Sequence, residues 1–384
     1  MDLVVLSEVR WGYFRTRKQF LLSRFPERWR VFFAQPPAAG ADDPWTPRHE
    51  GRVTYFTVPF LKPVTRNRLY NAAAATAPGR ALIERTAWSH LSRRLRELGV
   101  EPRPVVMASN IYAAQALERL EHRAAFYDFN DHPFQFAGVP DWTHPYWPRA
   151  HAAVDWMFVV SEWYRRKLST EVAAPLVPLG NGVEFDRFAA PSPPPDELAQ
   201  WPRPWIGYVG LLSHFLDFEL LERLRAERRG GTLILIGPGS PATDDAVRAL
   251  AARGGVAVLG SRPYEQVPGV MQALDVGVIP FRAHDSFVQG INPNKVYQYL
   301  AAGCATVTTP LLDLEAAPPH LQFAAEPGHF VSAVHAALDA GRDPDACRAL
   351  ARPHDWGERA TRMVTEIERR LSAVRSDSQA REDA

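Results

Sequence analysis

Lys295 falls in the first turn of a predicted helix, where a positive charge is unfavourable. Residues 290–295 read Gly-Ile-Asn-Pro-Asn-Lys and follow an apolar strand. Asn292 is a good N-cap, Pro293 suits the first helical position, and Gly303 suits the C-terminal stop. The helix dipole opposes the lysine by about 0.3–1 kcal/mol at an exposed site. Free backbone N–H groups, a glycine and a lysine together describe an anion site, most suited to a diphosphate.

Gln298 lies one helical turn after Lys295, so the two side chains point to the same side of the predicted helix. An amide at this position can donate to and accept from the ribose hydroxyls of the same ligand. Both residues also have an ordinary interpretation. Lys295 then extends into water, and Gln298 is a solvated helix residue.

Short β-branched or aromatic runs alternate with longer helical patterns, which is typical of parallel sheets built from strand-helix-strand units. The first series of predicted strands comprises Leu3–Leu6, Val31–Ala34, Val53–Val58, Pro104–Ala108, Ala125–Phe129, Trp156–Val160 and Leu176–Leu179. A second series comprises Trp205–Val209, Leu233–Ile236, Val256–Leu259, Val276–Ile279 and Ala305–Thr308.

The 384 residues are too many for one ordinary domain and favour two. We predict a first domain at 1–190, a Pro-rich linker at 191–204 and a second domain at 205–354. A final helix is expected at 355–373, followed by a disordered polar tail at 374–384. The apolar residues that predict its buried face are Trp356, Met363, Val364, Ile367 and Leu371.

The composition is that of a globular protein, with 46% hydrophobic and 23% charged residues and a formal net charge of +1. This balance argues against a nucleic-acid binder, which normally carries a basic excess. Cys304 and Cys347 have no metal-type spacing and read as reduced thiols. The N-terminus begins as a strand, and no run approaches about 18 apolar residues. We therefore expect a soluble, cytoplasmic protein.

Residues 292–309 read Asn-Pro-Asn-Lys-Val-Tyr-Gln-Tyr-Leu-Ala-Ala-Gly-Cys-Ala-Thr-Val-Thr-Thr and resemble the signature of retaining GT-B glycosyltransferases of family 4. Further segments occur in that family's order at 158–162, 178–184, 206–210 with Asp217, 235–238, 258–264 and 275–280. The resemblance covers most of the chain and is sparse before residue 100. It implies an α/β fold of two Rossmann-like, doubly wound parallel-sheet domains facing across a cleft, with a C-terminal helix that crosses back to the first domain.

The resemblance also implies that the C-terminal domain holds a nucleotide-sugar and the N-terminal domain holds the acceptor. Lys295 then meets the diphosphate, Gln298 lies by the ribose, and the loop Arg262–Tyr264 flanks the base. Gly210 has no β-carbon and lets the backbone approach the phosphates. The predicted nucleotide-sugar site comprises Gly210, Arg262, Tyr264, Gly290, Ile291, Asn292, Lys295 and Gln298.

The sequence departs from the family pattern at three places. The family usually carries Glu where this chain has Gln298, and an acidic residue where it has Gly290. A neutral amide accepts a ribose hydrogen bond less strongly than a carboxylate does. Many relatives have an Arg and a Lys soon after the glycine that matches Gly210, whereas residues 211–215 here read Leu-Leu-Ser-His-Phe. Lys295 is therefore expected to carry more of the diphosphate's charge.

Asp131 and His132 follow an apolar strand of the predicted first domain, where ligands collect in open parallel sheets. Family members often have a histidine near this position, so these residues are the predicted catalytic pair that contacts the donor sugar. Alternatively, Asp131 caps the following turn and His132 is an ordinary loop residue. Gly12 and Arg15, in the loop after the first strand, are predicted to border the acceptor; otherwise Gly12 is a turn residue.

We therefore predict a glycosyltransferase that moves a sugar from a UDP- or GDP-sugar to a glycan or lipid-linked acceptor in polysaccharide or cell-surface glycan biosynthesis. Retention of configuration lets the leaving diphosphate take the acceptor's proton. The acids Asp42-Asp43 and Asp244-Asp245 read as solvated loop residues, so no metal and no further cofactor is expected.

Two other functions fit the same pattern. A nucleotide-sugar epimerase shares the GT-B architecture, and the missing acids at Gly290 and Gln298 suggest a non-catalytic sugar-nucleotide binder. The arginines between 66 and 96 allow a basic amphipathic surface in peripheral contact with the inner face of the membrane, although a solvated helix face explains them more simply.

Overall fold

The computed structural model describes residues 1–12, 15–38, 45–134, 138–311 and 313–382. The chain divides into two compact units. The first comprises Met1–Leu179 together with Arg359–Ala384, and the second comprises Gly180–Glu358.

The first unit is built on a sheet in which seven of the eight strands are parallel. The strands are β1 (Asp2–Leu6), β2 (Arg30–Gln35), β3 (Arg48–Glu50), β4 (Val53–Thr57), β5 (Val105–Ala108), β6 (Ala124–Phe129), β7 (Trp156–Val159) and β8 (Leu176–Pro178). Their order is β3-β4-β2-β1-β5-β6-β7-β8, with β3 antiparallel to β4. The order reverses between β1 and β5, which is where ligands bind in doubly wound sheets.

The helices of this unit connect the parallel strands and cover the sheet. They are α1 (Arg17–Leu22), α2 (Arg68–Ala75), α3 (Ala77–Glu97), α4 (Ala114–Arg119), α5 (Tyr146–Ala152) and α6 (Glu162–Leu168), with 3-10 turns at Ile111–Ala113 and Asp141–Thr143. The strands β1, β5, β6 and β7 are buried along their whole length, as expected for parallel strands covered on both faces.

The second unit contains a six-stranded parallel sheet in the order β11-β10-β9-β12-β13-β14. The strands are β9 (Trp205–Val209), β10 (Thr232–Ile236), β11 (Val256–Val258), β12 (Val276–Ile279), β13 (Thr306–Thr308) and β14 (Leu321–Phe323). Numbered within the unit, this is the 3-2-1-4-5-6 order of the Rossmann fold. The reversal of order lies between β9 and β12.

The helices of the second unit follow the same strand-helix alternation. They are α7 (Phe185–Ala189), α8 (Phe218–Glu227), α9 (Asp244–Ala252), α10 (Val267–Ala273), α11 (Ser286–Gly290), α12 (Asn294–Ala301), α13 (Pro327–Ala340), α14 (Pro344–Ala351) and α15 (Trp356–Glu382), with 3-10 turns at Asp196–Gln200, Tyr264–Gln266 and Arg352–His354. From Arg359 onward, α15 belongs to the first unit. Its predicted face of Trp356, Met363, Val364, Ile367 and Leu371 is buried.

The second unit begins earlier than the sequence predicted, at residue 180 rather than after the linker 191–204. The Pro-rich segment packs within this unit instead of joining two units. The backbone N–H of Ser192 donates to Oε1 of Gln272 at 3.0 Å. A β-carbon at Gly269 would lie 2.1 Å from the carbonyl oxygen of Pro193, so α10 approaches this segment closely at that glycine. Proline prevents regular structure here without preventing packing.

The tail is also different from the prediction, because α15 continues past residue 374 to Glu382. Residues 372–382 read Ser-Ala-Val-Arg-Ser-Asp-Ser-Gln-Ala-Arg-Glu and contain neither proline nor glycine. Several of them are good helix formers, which favours continuation of the helix.

Candidate active site

The amine of Lys295 lies at the carboxyl end of β9, where the order of the second sheet reverses. Its Nζ is 5.4 Å from the ring centroid of Tyr208 in β9 and 5.1 Å from that of Phe281, which follows β12. A β-carbon built on Gly210 would lie 3.2 Å from this Nζ and 2.9 Å from Cε of the same lysine. The structure therefore brings Lys295 and Gly210 together, at the edge of the sheet that binds ligands in Rossmann folds.

Lys295 is a partly buried cation without a negatively charged partner among the described residues. Burial lowers the pKa of its ammonium from 10.5 to about 8. Within the residues that the structure describes, it forms no ion pair, and its charge faces the rings of Tyr208 and Phe281. Cation–π contacts stabilise a charge less than a carboxylate does. A bound diphosphate would supply the missing negative charge and raise the pKa again.

The helix that carries Lys295 begins one residue later than predicted. Pro293 is the N-cap of α12 and makes no side-chain capping bond, so the assignment of Asn292 as N-cap is wrong. The Oδ1 of Asn292 instead accepts hydrogen bonds from the backbone N–H of Asn181 at 2.9 Å and from the hydroxyl of Tyr297 at 2.9 Å. The predicted stop at Gly303 is confirmed, because this residue has φ 75° and follows the last turn.

The side chain of Asn292 therefore holds a loop of its own unit in place. It is 5% exposed, and its backbone carbonyl accepts from Nδ2 of Asn181 at 2.8 Å. Its neighbours Gly290, at the end of α11, and Ile291 are buried and partly buried. Gly290, Ile291 and Asn292 therefore lie at the start of α12 and position it. Among the predicted nucleotide-binding residues, only Lys295 has a charged side chain without an ion-pair partner in the described part of the chain.

Gln298 and Tyr264 are neighbours in the second unit. The two side chains share a hydrogen bond, and the hydroxyl of Tyr264 also donates to Oε2 of Glu184 at 3.1 Å. Burial, followed by the adjacent Glu184 carboxylate, raises the pKa of Tyr264, so the phenol stays protonated. The guanidinium of Arg187 lies 5.2 Å from the centre of the same ring. Glu184 thus adds a carboxylate that the sequence analysis did not include in this site.

A cavity of about 330 Å³ lies in the first unit where the strand order reverses between β1 and β5. Its polar lining comes from the loops after β1, β5 and β6 and includes Glu8, Asn110, Asn130, Asp131 and His132. Glu8 is fixed from two sides, since its carboxylate accepts from Nζ of Lys18 at 2.6 Å and from Oγ of Ser109 at 2.5 Å. The cavity therefore presents polar groups held by their neighbours.

His132 lies on the wall of this cavity and packs against the rings of Phe129 and Trp147. Burial lowers the pKa of the imidazole, which favours its neutral form at pH 7. Its Nδ1 accepts from the backbone N–H of Phe134 at 3.3 Å, so the proton of the neutral ring is on Nε2, which is a donor. Asp131 is exposed beside it and accepts from Nδ2 of Asn130 at 2.6 Å.

Residues 203–339 match the family model described as glycosyl transferases group 1. TuaH of Bacillus subtilis (strain 168), which is named as a teichuronic acid biosynthesis glycosyltransferase, is 27% identical to this chain over 185 residues. That match covers 46% of this chain and 46% of TuaH, which is less than half of either protein.

Solved structures resemble the whole chain in fold. Sucrose-phosphate synthase from Thermosynechococcus elongatus has a TM-score of 0.68 at 14% identity, with 97% of this chain and 99% of that chain covered. HepE of Anabaena in complex with UDP has a TM-score of 0.65 at 15% identity, with 96% and 100% covered. An E. coli structure described as trehalose-6-phosphate bound with UDP-2-fluoro glucose has a TM-score of 0.68 at 14% identity, with 95% and 98% covered. These structures confirm the predicted GT-B fold.

The guanidinium of Arg262 in the second unit pairs with the carboxylate of Glu197. Its Nε lies 3.0 Å from Oε1 of Glu197, and its Nη2 contacts the same oxygen. Local sequence patterns do not reveal this pair, because 65 positions separate the two residues. Arg262 stays a predicted neighbour of the base, with a charge that is already neutralised.

Gly12 and Arg15 are exposed in the loop after β1, and residues 13–14 between them lie outside the described residues. So do Asp42 and Asp43, which the sequence analysis read as solvated acids. Within the described part of the chain, no three or more His, Cys, Asp or Glu residues cluster as a metal site would require. None of the described helices is long and apolar enough to cross a membrane.

Proposed function

We propose that this protein transfers a sugar from a nucleoside diphosphate donor to a glycan or glycolipid acceptor, with retention of configuration. The observation that carries the proposal is the position of Lys295. Its ammonium lies beside Gly210 at the reversal of strand order, and burial lowers its pKa to about 8. Two leaving-group phosphates would supply the counter-charge that this lysine lacks among the described residues.

The donor is proposed to be a UDP-sugar, with a GDP-sugar as the alternative. Support comes from fold relatives that are described as bound to UDP or to UDP-2-fluoro glucose. In the second unit, the Gln298–Tyr264–Glu184 network offers an amide, a phenol and a carboxylate for the ribose and base. Such groups select a nucleoside because a ligand that lacks one of the bonded hydroxyls leaves a buried polar group of the protein without a hydrogen bond.

The chemistry needs positioning and charge stabilisation more than a strong base. When configuration is retained, the departing diphosphate takes the acceptor's proton on the same face of the sugar. We propose that Lys295 stabilises the charge on that diphosphate, while neutral His132 donates from Nε2 to a sugar hydroxyl and Asp131 stabilises positive charge at the sugar. No metal or further cofactor is proposed, so turnover is expected to be unchanged by EDTA.

A thermal-shift and calorimetry panel with UDP, GDP, ADP and dTDP and their sugars tests the donor site. A ligand at a hundred times its Kd adds about 2.7 kcal/mol of stability. We expect a shift with UDP or GDP that is clearly smaller for Lys295→Met. A flat response to the entire panel would contradict the proposal.

Product analysis then separates the three enzyme or binding functions. A transferase consumes the donor mainly when an acceptor is present, whereas an epimerase converts the donor alone. A binder with neither reaction would point to the missing acids at Gly290 and Gln298 as the cause. We further propose a cytoplasmic location, with the acceptor met at the inner face of the membrane.

A further inference from the structure

Another cavity, of about 380 Å³, lies in the first unit beyond the carboxyl ends of β2 and β4. Pro37 and Ala38 line it from the β2 side, Phe60 and Val64 from the β4 side, and Tyr70 from α2. The nucleotide site proposed above does not use it. Its lining combines apolar side chains with two cations, Lys62 and Arg66, and contains no acidic residue among the described lining residues.

The surroundings of this cavity are basic over a long stretch of sequence. No aspartate or glutamate occurs between Glu50 and Glu84, whereas the same stretch contains Arg52, Lys62, Arg66, Arg68 and Arg80. The ammonium of Lys62 donates to the carbonyl of Pro37 at the cavity wall. Arg66 and Arg68 are exposed and, within the described part of the chain, form no ion pair or hydrogen bond through their guanidinium groups. The cavity therefore has unneutralised charge that suits an anion.

Apolar side chains stand beside these cations and point into solvent. Leu69 is 84% exposed and Val64 is 60% exposed. The outward positions of α2 include Ala72 and Ala73, where a solvated helix normally carries polar residues. An exposed apolar group fringed by arginines is typical of surfaces that meet a membrane interface.

The segment that forms the cavity is held in a fixed shape. Oδ1 of Asn67 caps α2 by accepting from the backbone N–H groups of Leu69 and Tyr70. The hydroxyl of Tyr70 accepts from the backbone N–H of Lys62 at 2.8 Å, and Oδ1 of Asn71 accepts from the backbone N–H of Thr65 at 2.9 Å. A site that is ordered before binding loses less entropy when it binds.

We propose that this cavity and the outer face of α2 bind a lipid with a phosphate headgroup, which is the acceptor or its membrane anchor. The inference rests on the proposed transferase function. The guanidinium of Arg66 pairs with the phosphate, for which its planar donors are suited, and Leu69 and Val64 enter the acyl region. Charge complementarity selects an anionic lipid over a neutral one.

Vesicle flotation of the full-length protein tests this site. We expect binding to phosphatidylcholine vesicles that contain phosphatidylglycerol and none to phosphatidylcholine alone. Arg66→Ala should weaken binding about fivefold, and Leu69→Ala about tenfold because fewer apolar carbons are buried. Arg119→Ala is the matched control, since Arg119 lies outside the stretch 66–96, is exposed at the end of α4 and makes no ion pair among the described residues.

Two soluble probes separate the sources of the phosphate. Hexyl phosphate should bind, and should bind more weakly to Arg66→Ala, whereas inorganic phosphate should bind less tightly than hexyl phosphate. Equal binding to both vesicle types, equal affinity for the two probes, or an unaltered Arg66→Ala variant would overturn the lipid site. Absence of UDP binding by the wild type would instead contradict the transferase, so the two failures are distinct.

Discussion

Replacement of Lys295 by methionine should weaken nucleotide binding and, in the absence of ligand, stabilise the protein. Methionine keeps an unbranched side chain over the rings of Tyr208 and Phe281 but has no charge. A hydrogen bond to a charged group contributes about 1.5–3 kcal/mol. The Kd for UDP is therefore expected to rise about 10- to 150-fold.

The effect on stability follows from the lowered pKa of Lys295. Below pH 8 this lysine is charged in both the folded and the unfolded protein, so the cost of its burial is present in full. Between about pH 8 and pH 10.5 the folded protein releases the proton first, and the free energy of unfolding rises with pH. The shift from 10.5 to about 8 corresponds to about 1–3 kcal/mol for this half-buried side chain.

Calorimetric UDP titrations and thermal unfolding at neutral and alkaline pH measure both effects. At pH 7 without ligand, Lys295→Met should unfold several degrees above the wild type, at about 2–4 °C per kcal/mol. The difference should shrink as pH approaches 10.5. Wild-type affinity for UDP should fall by about tenfold per pH unit above pH 8, and that of the variant should not.

Lys167→Met is the matched control, because Lys167 also lies over an aromatic ring, at 4.6 Å from the centroid of Trp163, but in the first unit. It should bind UDP as the wild type does. Wild-type UDP affinity in Lys295→Met, or a lower unfolding temperature than the wild type, would refute the reasoning about this amine.

Three further changes test other parts of the structure. Gly210→Ala places a β-carbon 2.9 Å from the lysine Cε at φ 151°, so UDP affinity should fall at least about tenfold; Gly254→Ala, also at positive φ but with no atom within 4 Å, should not affect it. His132→Asn should lower kcat about 100-fold and leave the donor KM nearly unchanged. An equal fall in kcat and KM, which leaves kcat/KM unchanged, would exclude a role of His132 in the transition state. Asp128→Asn removes the carboxylate that Nε of buried Arg17 contacts at 3.0 and 3.1 Å and should cost about 3–5 kcal/mol in denaturant unfolding, whereas a loss below about 1 kcal/mol would contradict this account.

Sequence patterns were sufficient for features that depend on neighbouring residues. The buried strands of both sheets were predictable from their apolar runs, and Gly303 from its position after a helix. Two strands were missed, β3 and β14, which are three residues long and lie at the sheet edges. β3 reads Arg-His-Glu and is exposed along its length, and β14 reads Leu-Gln-Phe with one buried residue, so neither has an apolar run. The edge strands β8 and β11 are equally short but read Leu-Val-Pro and Val-Ala-Val, which made them predictable.

The partners of the site residues could not be predicted, because they are distant in sequence. Asn292 has the chemistry of an N-cap, yet it bonds with Asn181, 111 positions away. Glu184 reaches Tyr264 across 80 positions. Hydrogen-bonding capacity can be read from residue type, whereas the choice among partners is made by the fold.

The return of α15 to the first unit has a consequence for synthesis. Glu368 accepts from Nε of Arg28 at 2.8 Å and from Nε1 of Trp29 at 3.2 Å, and the guanidinium of Arg370 lies 5.2 Å from the ring centre of Trp156. These partners leave the ribosome hundreds of residues apart. The second unit is therefore completely synthesised before the first unit, which also needs the residues from Arg359 onward. A fragment that ends at Leu179 would lack α15, the helix that covers Trp29 and Trp156.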